Sequence, residues 1–171
     1  MTTTTSERPR QRIPAWLIRT IWKVHRAIFR VSGGRVGLRT ETDSRWGTLR
    51  LHTTGRKSGQ ERVAIVGFIE DGANLVTPAM NGWLEADPGW WLNLQANPNA
   101  IVELPGGSTR HVVARRAIGE DRRRLWQRLV DLGTAAYTDE NAGKRSVETA
   151  IVILEPRRFA AGSQRSVRSL A

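Results

Sequence analysis

The sequence predicts a mostly β, α+β fold: a small closed barrel of about six strands, with an N-terminal amphipathic helix and flanking helices. Three observations lead to this prediction. Six short segments alternate in polarity or are rich in β-branched residues, turn residues separate them, and few helical stretches interrupt them. The 171 residues, of which 39% are hydrophobic, suit one domain with a buried core and short tails.

The N-terminal region predicts a disordered tail and then a helix. Residues 1–12 are polar and rich in arginine. Residues 13–35 predict an amphipathic helix, because Pro14 suits a first helical turn and glycines end the segment. Basic residues recur along one stripe of this helix: Arg19, Lys23, Arg26 and Arg30. The apolar faces allow two interpretations, packing on the barrel or lying in a membrane interface through residues 14–30.

The barrel domain is predicted over residues 36–157, and three strands open it. The first strand, 48–54, alternates between apolar and polar residues. The second strand, 62–70, is rich in β-branched residues, and the third, 73–79, is its hairpin partner across Asp71-Gly72.

The second half of the domain alternates helices and strands. A short helix begins at Pro88 and ends before Asn97-Pro98. Glycines between two further strands predict a hairpin. The remaining predicted elements are strands 100–104 and 109–117, a helix over 120–132, a last strand over 150–154, and a flexible basic tail over 158–171.

Charge and composition narrow the classes of function. Residues 1–40 carry a net charge of +8 and residues 157–171 carry +4, whereas the intervening body carries −1. Basic ends around a neutral body indicate contact with an anionic surface. Nucleic acid is not the expected partner, because no stacking aromatic motif accompanies these charges. The absence of cysteine and the three scattered histidines exclude a thiolate centre and disfavour a metal site.

A basic glycine turn is the clearest local signal for a binding site. The segment TTGRKSG places Arg56, Lys57 and Ser58 between Gly55 and Gly59. Backbone N–H groups of such a turn, with a guanidinium fork and an ammonium group, can hold a phosphate or a polycarboxylate. The same pattern also occurs in ordinary solvated loops, so both interpretations stay open at this point.

A second signal is the segment PGWWLNLQANP in the short predicted helix. Trp90 and Trp91 can wall a planar ring, and Asn93 offers both a donor and an acceptor. The alternative interpretation is that the two tryptophans fill the core.

Together these segments resemble the deazaflavin-dependent nitroreductase family. That family shows a strand, TTGRKSG, a strand pair around DG, and then a proline followed by W-Y-x-N-L-x-A-N-P. The matching segments here are residues 53–59, Asp71-Gly72, Pro88 and residues 90–98, and the similarity covers roughly residues 36–157. The resemblance implies a split β-barrel similar to FMN-binding oxidoreductases, with reduced coenzyme F-420 as hydride donor.

The resemblance also implies roles for individual residues. Arg56, Lys57, Ser58 and Gly59 would hold the phosphate and polyglutamate tail of F-420. Residues 78–81 (Pro78, Ala79, Met80 and Asn81) would line the deazaflavin, and Trp90, Trp91, Asn93 and Leu94 would support the ring and its linker. Tyr137, the only tyrosine, would donate a proton to the reduced acceptor, or serve only as a structural aromatic.

Departures from the family pattern point to an apolar acceptor. Met80 and Asn81 stand where nitroimidazole-reducing members have a serine and a lysine, and Gly67 stands where they have a tyrosine. A site with fewer hydroxyl groups favours a hydrophobic, quinone-like acceptor. The alternatives are a non-catalytic carrier of F-420 or of a lipid-like ligand, and an FMN-dependent relative.

The expected setting follows from the same resemblance. We expect a cytoplasmic protein at the inner face of the cell membrane, an actinobacterial source and a homodimer, with a small-molecule electron acceptor as partner. The polar N-terminus and the charges within the apolar helix argue against a signal peptide or a transmembrane span.

Overall fold

The computed structural model describes residues 38–81, 85–133 and 145–157. The predicted amphipathic helix over 13–35, both predicted tails and Tyr137 lie outside these residues. The compact unit that contains the barrel begins at Leu38.

Eight elements form the described part of the barrel unit. They are β1 (Gly47–Thr54), β2 (Glu61–Asp71), β3 (Asn74–Pro78), α1 (Gly89–Ala96), β4 (Asn99–Glu103), β5 (Thr109–Arg116), α2 (Gly119–Leu132) and β6 (Ile151–Pro156). A 3-10 turn, Pro105–Gly107, joins β4 to β5. Every predicted strand and helix in this region is present, with ends that agree to within two residues.

The six strands form a closed antiparallel barrel in the order β1-β2-β3-β6-β5-β4. Pairing of β1 with β4 closes it, with Leu51 opposite Val102. The predicted barrel of about six strands is therefore confirmed. Closure leaves neither β1 nor β4 as an open sheet edge that would need another partner.

Two apolar clusters lie on the two sides of the barrel wall. Alternation in β1 turns Leu49 and Leu51 inward, where both are fully buried. On the outside, Leu125 and Leu129 of α2 pack against residues of β2, β3 and β6. This packing follows from the amphipathic pattern of α2, whose opposite face is charged.

No helix within the described ranges has the length and apolar character needed to cross a membrane.

Candidate cofactor site

Strand direction brings the predicted binding segments to one end of the barrel. Because all neighbouring strands are antiparallel, β1, β3 and β5 run one way and β2, β4 and β6 run the other. The ends of β1 and β3 and the starts of β4 and β6 therefore share one rim, which we call the site end. It carries the turn over residues 55–60, residues 78–81, α1 and residues 145–150.

Residues 55–60, which we call the clamp turn, close on their own backbone. The N–H group of Gly55 donates to the carbonyl of Gln60 at 2.8 Å, and that of Gly59 donates to the carbonyl of Gly55 at 2.7 Å. Gly59 has a φ of +66°, which an L side chain rarely adopts. A Cβ at Gly55 would lie 3.0 Å from both the Gln60 carbonyl and Ser58 Oγ. Glycine at both positions thus permits the tight turn.

The clamp turn presents positive charge that no described carboxylate neutralises. Arg56 and Lys57 are exposed, and within the described ranges neither pairs with an acidic side chain. Arg62 Nη2 lies 3.3 Å from Ser58 Oγ, so the Arg62 guanidinium also faces the turn. Arginines elsewhere do pair with carboxylates, among them Arg50, Arg115, Arg116, Arg124, Arg128 and Arg145. This contrast makes the turn suited to an external anion.

Asn93 fastens α1 to the clamp turn. Its buried Oδ1 accepts from the backbone N–H of Arg56 at 3.2 Å, and Arg56 Nη1 lies 3.5 Å from the same oxygen. Asn93 Nδ2 donates to Thr53 Oγ1 at 3.2 Å. The amide thus orients the clamp turn, whereas the resemblance implied that it supports the ring and its linker. The ring-supporting role stays a prediction.

The other predicted residues of α1 lie in the barrel core. Trp90, Trp91 and Leu94 are 9%, 5% and 2% exposed, and they pack with the inward-facing strand residues. The packing of the two tryptophans therefore agrees with the interpretation that they fill the core. Contact between a cofactor and the exposed edges of the two tryptophans stays a prediction.

Residues 78–81 continue β3 along the start of β6. Pro78 lies opposite Ile151, and the Ala79 N–H group donates to the carbonyl of Ala150 at 2.8 Å. The Met80 N–H group then donates to the carbonyl of Pro78 at 2.9 Å, which turns the chain away from the strand. Met80 and Asn81 are half-buried.

Arg145 belongs to the site end, and the sequence patterns did not single it out. Its buried guanidinium donates to the carbonyls of Ala79 and Glu85 and pairs with Asp87. Ser146 next to it donates to the Glu85 carboxylate, which lowers the pKa of that group. One arginine in a charged stretch has no local signature of burial, because its partners Ala79, Glu85 and Asp87 are about 60 residues away in the sequence.

A groove of about 340 Å³ lies beside the clamp turn on the outer face of β1, β4 and β5. His52 and His111 line it, and His52 Nδ1 lies 3.3 Å from Glu61 Oε1. This groove differs from the clamp turn in charge: its lining includes both Glu61 and Arg157, whereas cations predominate at the clamp turn.

A family model and a related protein indicate the same family. A model of the F420H(2)-dependent quinone reductase family matches residues 21–156. An F420H(2)-dependent quinone reductase of Mycobacterium tuberculosis (strain ATCC 25618 / H37Rv) is 32% identical over 152 residues, which cover 85% of this chain and 99% of that protein.

Solved structures give the same fold. The structure of an F420-H2 dependent reductase (FDR-A) is 26% identical with a TM-score of 0.56, covering 70% of this chain and 100% of that one. A chain solved as a domain-swapped dimer is 24% identical with a TM-score of 0.57, covering 80% of this chain and 99% of that one, and shows the fold alone. The family match over most of the chain therefore confirms the resemblance: the chain belongs to the F420H(2)-dependent quinone reductase family, which consists of oxidoreductases that use coenzyme F-420.

Proposed function

We propose that this protein reduces an apolar, quinone-like acceptor with F420H2 and that the clamp turn holds the anionic tail of the cofactor. The observation that carries this proposal is a group of cations without a carboxylate partner among the described residues: Arg56 and Lys57 on the turn fastened by Asn93, and Arg62 of β2, which faces that turn. Cations that have no carboxylate partner are available to an external anion, and the contact of Asn93 with the Arg56 backbone holds the turn that presents two of them.

The donor set of the clamp turn fits the chemistry of F-420. Its tail carries a phosphate and glutamate carboxylates, which match a guanidinium fork, an ammonium group and a hydroxyl. When bound, F-420 supplies the hydride, and the protein supplies binding, orientation and the shape of the acceptor pocket. In this proposal residues 78–81 would line the ring, α1 would support the ring and its linker through Trp90, Trp91, Asn93 and Leu94, and Tyr137 would donate the proton.

The side chains of the site end favour an apolar acceptor. Met80, half-buried just after β3, brings a thioether where nitroimidazole-reducing relatives have a hydroxyl. Gly67 is not part of these surroundings, because it lies opposite Thr48 near the start of β1, and Trp46 packs over it on the α2 side of the barrel wall. An apolar quinone therefore suits the surroundings better than a polar nitroimidazole.

The remaining expectations form part of the same proposal. The basic stripe of residues 14–30 would place the protein at the inner face of the cell membrane, where quinones reside. A homodimer belongs to the same proposal; the neighbour titled as a domain-swapped dimer is one case of a chain with this fold that pairs. The relatives from mycobacteria support an actinobacterial source.

The first experiment is a fluorescence titration of the purified protein with F-420 and, separately, with FMN. We expect F-420 to bind and R56A/K57A to lose about 3 kcal/mol of binding, roughly 100-fold in affinity, because two charge-assisted contacts disappear. R123A is the matched control, since Arg123 is exposed on α2 and pairs with Glu120. The same preparations would then be supplied with F420H2 and either menadione or a nitroimidazole, and menadione should be reduced faster.

Each other outcome has a definite meaning. Tight FMN binding without F-420 binding would contradict the proposal and favour the FMN-dependent alternative. F-420 binding without reoxidation by any acceptor would favour the carrier. An unchanged affinity in R56A/K57A would move the tail away from the clamp turn.

A further inference from the structure

Arg145 is a buried arginine whose partners include residues at both ends of the connection between β3 and α1. Its side chain is 0% exposed, which is rare for arginine unless the charge is paired. Nη1 lies 3.4 Å from the carbonyl oxygen of Ala79 and 3.1 Å from Thr149 Oγ1. Nη2 lies 3.1 Å from the carbonyl oxygen of Glu85 and 2.9 Å from Asp87 Oδ1.

These contacts span the connection between β3 and α1. Ala79 lies in the segment that we assign to the ring, and Asp87 directly precedes Pro88, from which α1 begins. The carbonyl of Pro88 accepts from the N–H group of Trp91 at 3.0 Å, so the position of Asp87 also sets the start of the helix. One planar guanidinium therefore fixes the ring segment and the start of α1 relative to each other.

From α1 the connection continues to the clamp turn. Asn93 lies one turn beyond the start of α1 and binds the backbone N–H group of Arg56. The helix between them is short and buried by Trp90 and Trp91, so it transmits position with little freedom. The route from Arg145 through Asp87 and α1 to Arg56 consists of direct contacts at each step.

We propose that Arg145 is a positioning residue that sets the distance and orientation between the ring segment (residues 78–81) and the clamp turn (residues 55–60). This inference rests on the proposed function, because it requires that one ligand bind both places at once. Linked binding of a ring and a tail gains affinity only when the two subsites have the right separation. Arg145 itself contacts neither part of the ligand.

The test compares two ligands in each variant: F-420 and its tail-free deazaflavin riboside, both followed by fluorescence. The quantity measured is the ratio of the riboside dissociation constant to the F-420 dissociation constant. A variant that is merely less stable raises both constants by the same factor, so the ratio stays constant. A positioning defect lowers the ratio, because the tail then adds less to binding.

The variants are R145K, which keeps the charge and loses the fork, and D87N, which keeps the shape and loses the charge. We expect the ratio to fall at least 10-fold in R145K and at least 5-fold in D87N. The ratio in the double variant should fall no further than in the more affected single variant, because D87N removes a contact that R145K already disrupts. R116K is the matched control, since Arg116 pairs with Glu148 at the surface, and its ratio should equal that of the wild type.

The outcomes separate this inference from the proposed function. A wild-type protein that binds no F-420 overturns the proposed function and, with it, the inference. A wild-type protein that prefers F-420, together with unchanged ratios in R145K and D87N, overturns the inference alone. If R145K does not fold, D87N decides, because a neutral amide of the same shape can still accept one hydrogen bond from Arg145.

Discussion

At Gly67 a missing side chain makes room for an indole ring. Trp46 is 9% exposed, and its Nε1 donates to the carbonyl of Leu129 at 3.1 Å. A Cβ on Gly67 would lie 2.8 Å from Trp46 Cε3, closer than atoms in van der Waals contact. The space that a side chain on Gly67 would occupy is therefore filled by an aromatic ring from the segment before β1.

We expect G67A to lower the free energy of unfolding by about 1–3 kcal/mol, because the added methyl group displaces a buried and hydrogen-bonded ring. G89A is the matched control: a Cβ on Gly89 would meet no atom within 4 Å, and Gly89 lies in the first turn of α1. Alanine there should be neutral or add up to about 1 kcal/mol through helix propensity. Urea unfolding measures both variants, and equal stability of G67A and wild type would contradict the packing argument.

The individual residues differ in how far the sequence predicts them. The turn that carries Arg56, Lys57 and Ser58 was predictable, because a cationic glycine turn is a local sequence pattern and its backbone hydrogen bonds join residues close in the chain. The contact of Asn93 with Arg56 was not, since a buried amide can serve many partners and the two residues are 37 positions apart.

Between elements, one carboxylate connects α2 to the hairpin of β2 and β3. Asp71 is the last residue of β2, and its two carboxylate oxygens accept hydrogen bonds from Arg124 Nη1 and Nη2 at 2.7 and 2.9 Å. Arg128, one turn further along α2, adds a contact at 3.2 Å. The hydrogen bonds from Arg124 lower the pKa of Asp71.

Because the pKa of Asp71 is lowered, its ion pairs with Arg124 and Arg128 stabilise the fold fully above the usual pKa of aspartate. This stabilisation is lost as the pH falls through the pKa that Asp71 has in the folded protein. We expect D71N to lower the free energy of unfolding by about 0.5–1 kcal/mol at pH 7, a modest value because Arg124 is half exposed. The difference between wild type and D71N should shrink below about pH 4, where aspartate begins to be protonated.

Urea unfolding at pH 7 and near pH 3 measures this dependence. E120Q is the control, since the pair of Glu120 with Arg123 is exposed on both sides and should change stability by less than about 0.5 kcal/mol. A D71N effect of equal size at both pH values would show that the carboxylate charge is not what connects the two elements.

Element prediction succeeded for the same reason that this pairing was missed. Strand alternation and the Asp71-Gly72 turn are short-range patterns, so β2 and β3 were correct within two residues. The charged face of α2 predicted an exposed surface, but periodicity does not say which distant carboxylate a given arginine meets.

Across the whole molecule, positive charge is concentrated in the two terminal segments. The basic ends carry the excess charge, and the barrel sequence between them is nearly neutral. Each basic residue near an anionic membrane contributes about 1 kcal/mol, and salt weakens the attraction.

We expect the full chain to sediment with anionic phosphatidylserine vesicles and much less with neutral phosphatidylcholine vesicles. Changing Arg19, Lys23, Arg26 and Arg30 to Gln should lower the affinity for anionic vesicles at least 10-fold, because the basic stripe would lose four charges. F-420 affinity of this variant should equal that of the wild type. Equal binding of wild type and variant would favour packing of the predicted helix on the barrel.

The sequence by itself determined the class of fold, the strands and helices of the described residues, the family and the cationic turn. All of these depend on patterns of neighbouring residues, where period, turn chemistry and charge are read directly. Only the tertiary structure decided that α1 packs its tryptophans into the barrel core, that Asn93 fastens the clamp turn and that Arg145 joins residues 79 and 87. Such contacts depend on which strand ends share a rim, and barrel closure sets that arrangement through pairings between residues far apart in the chain.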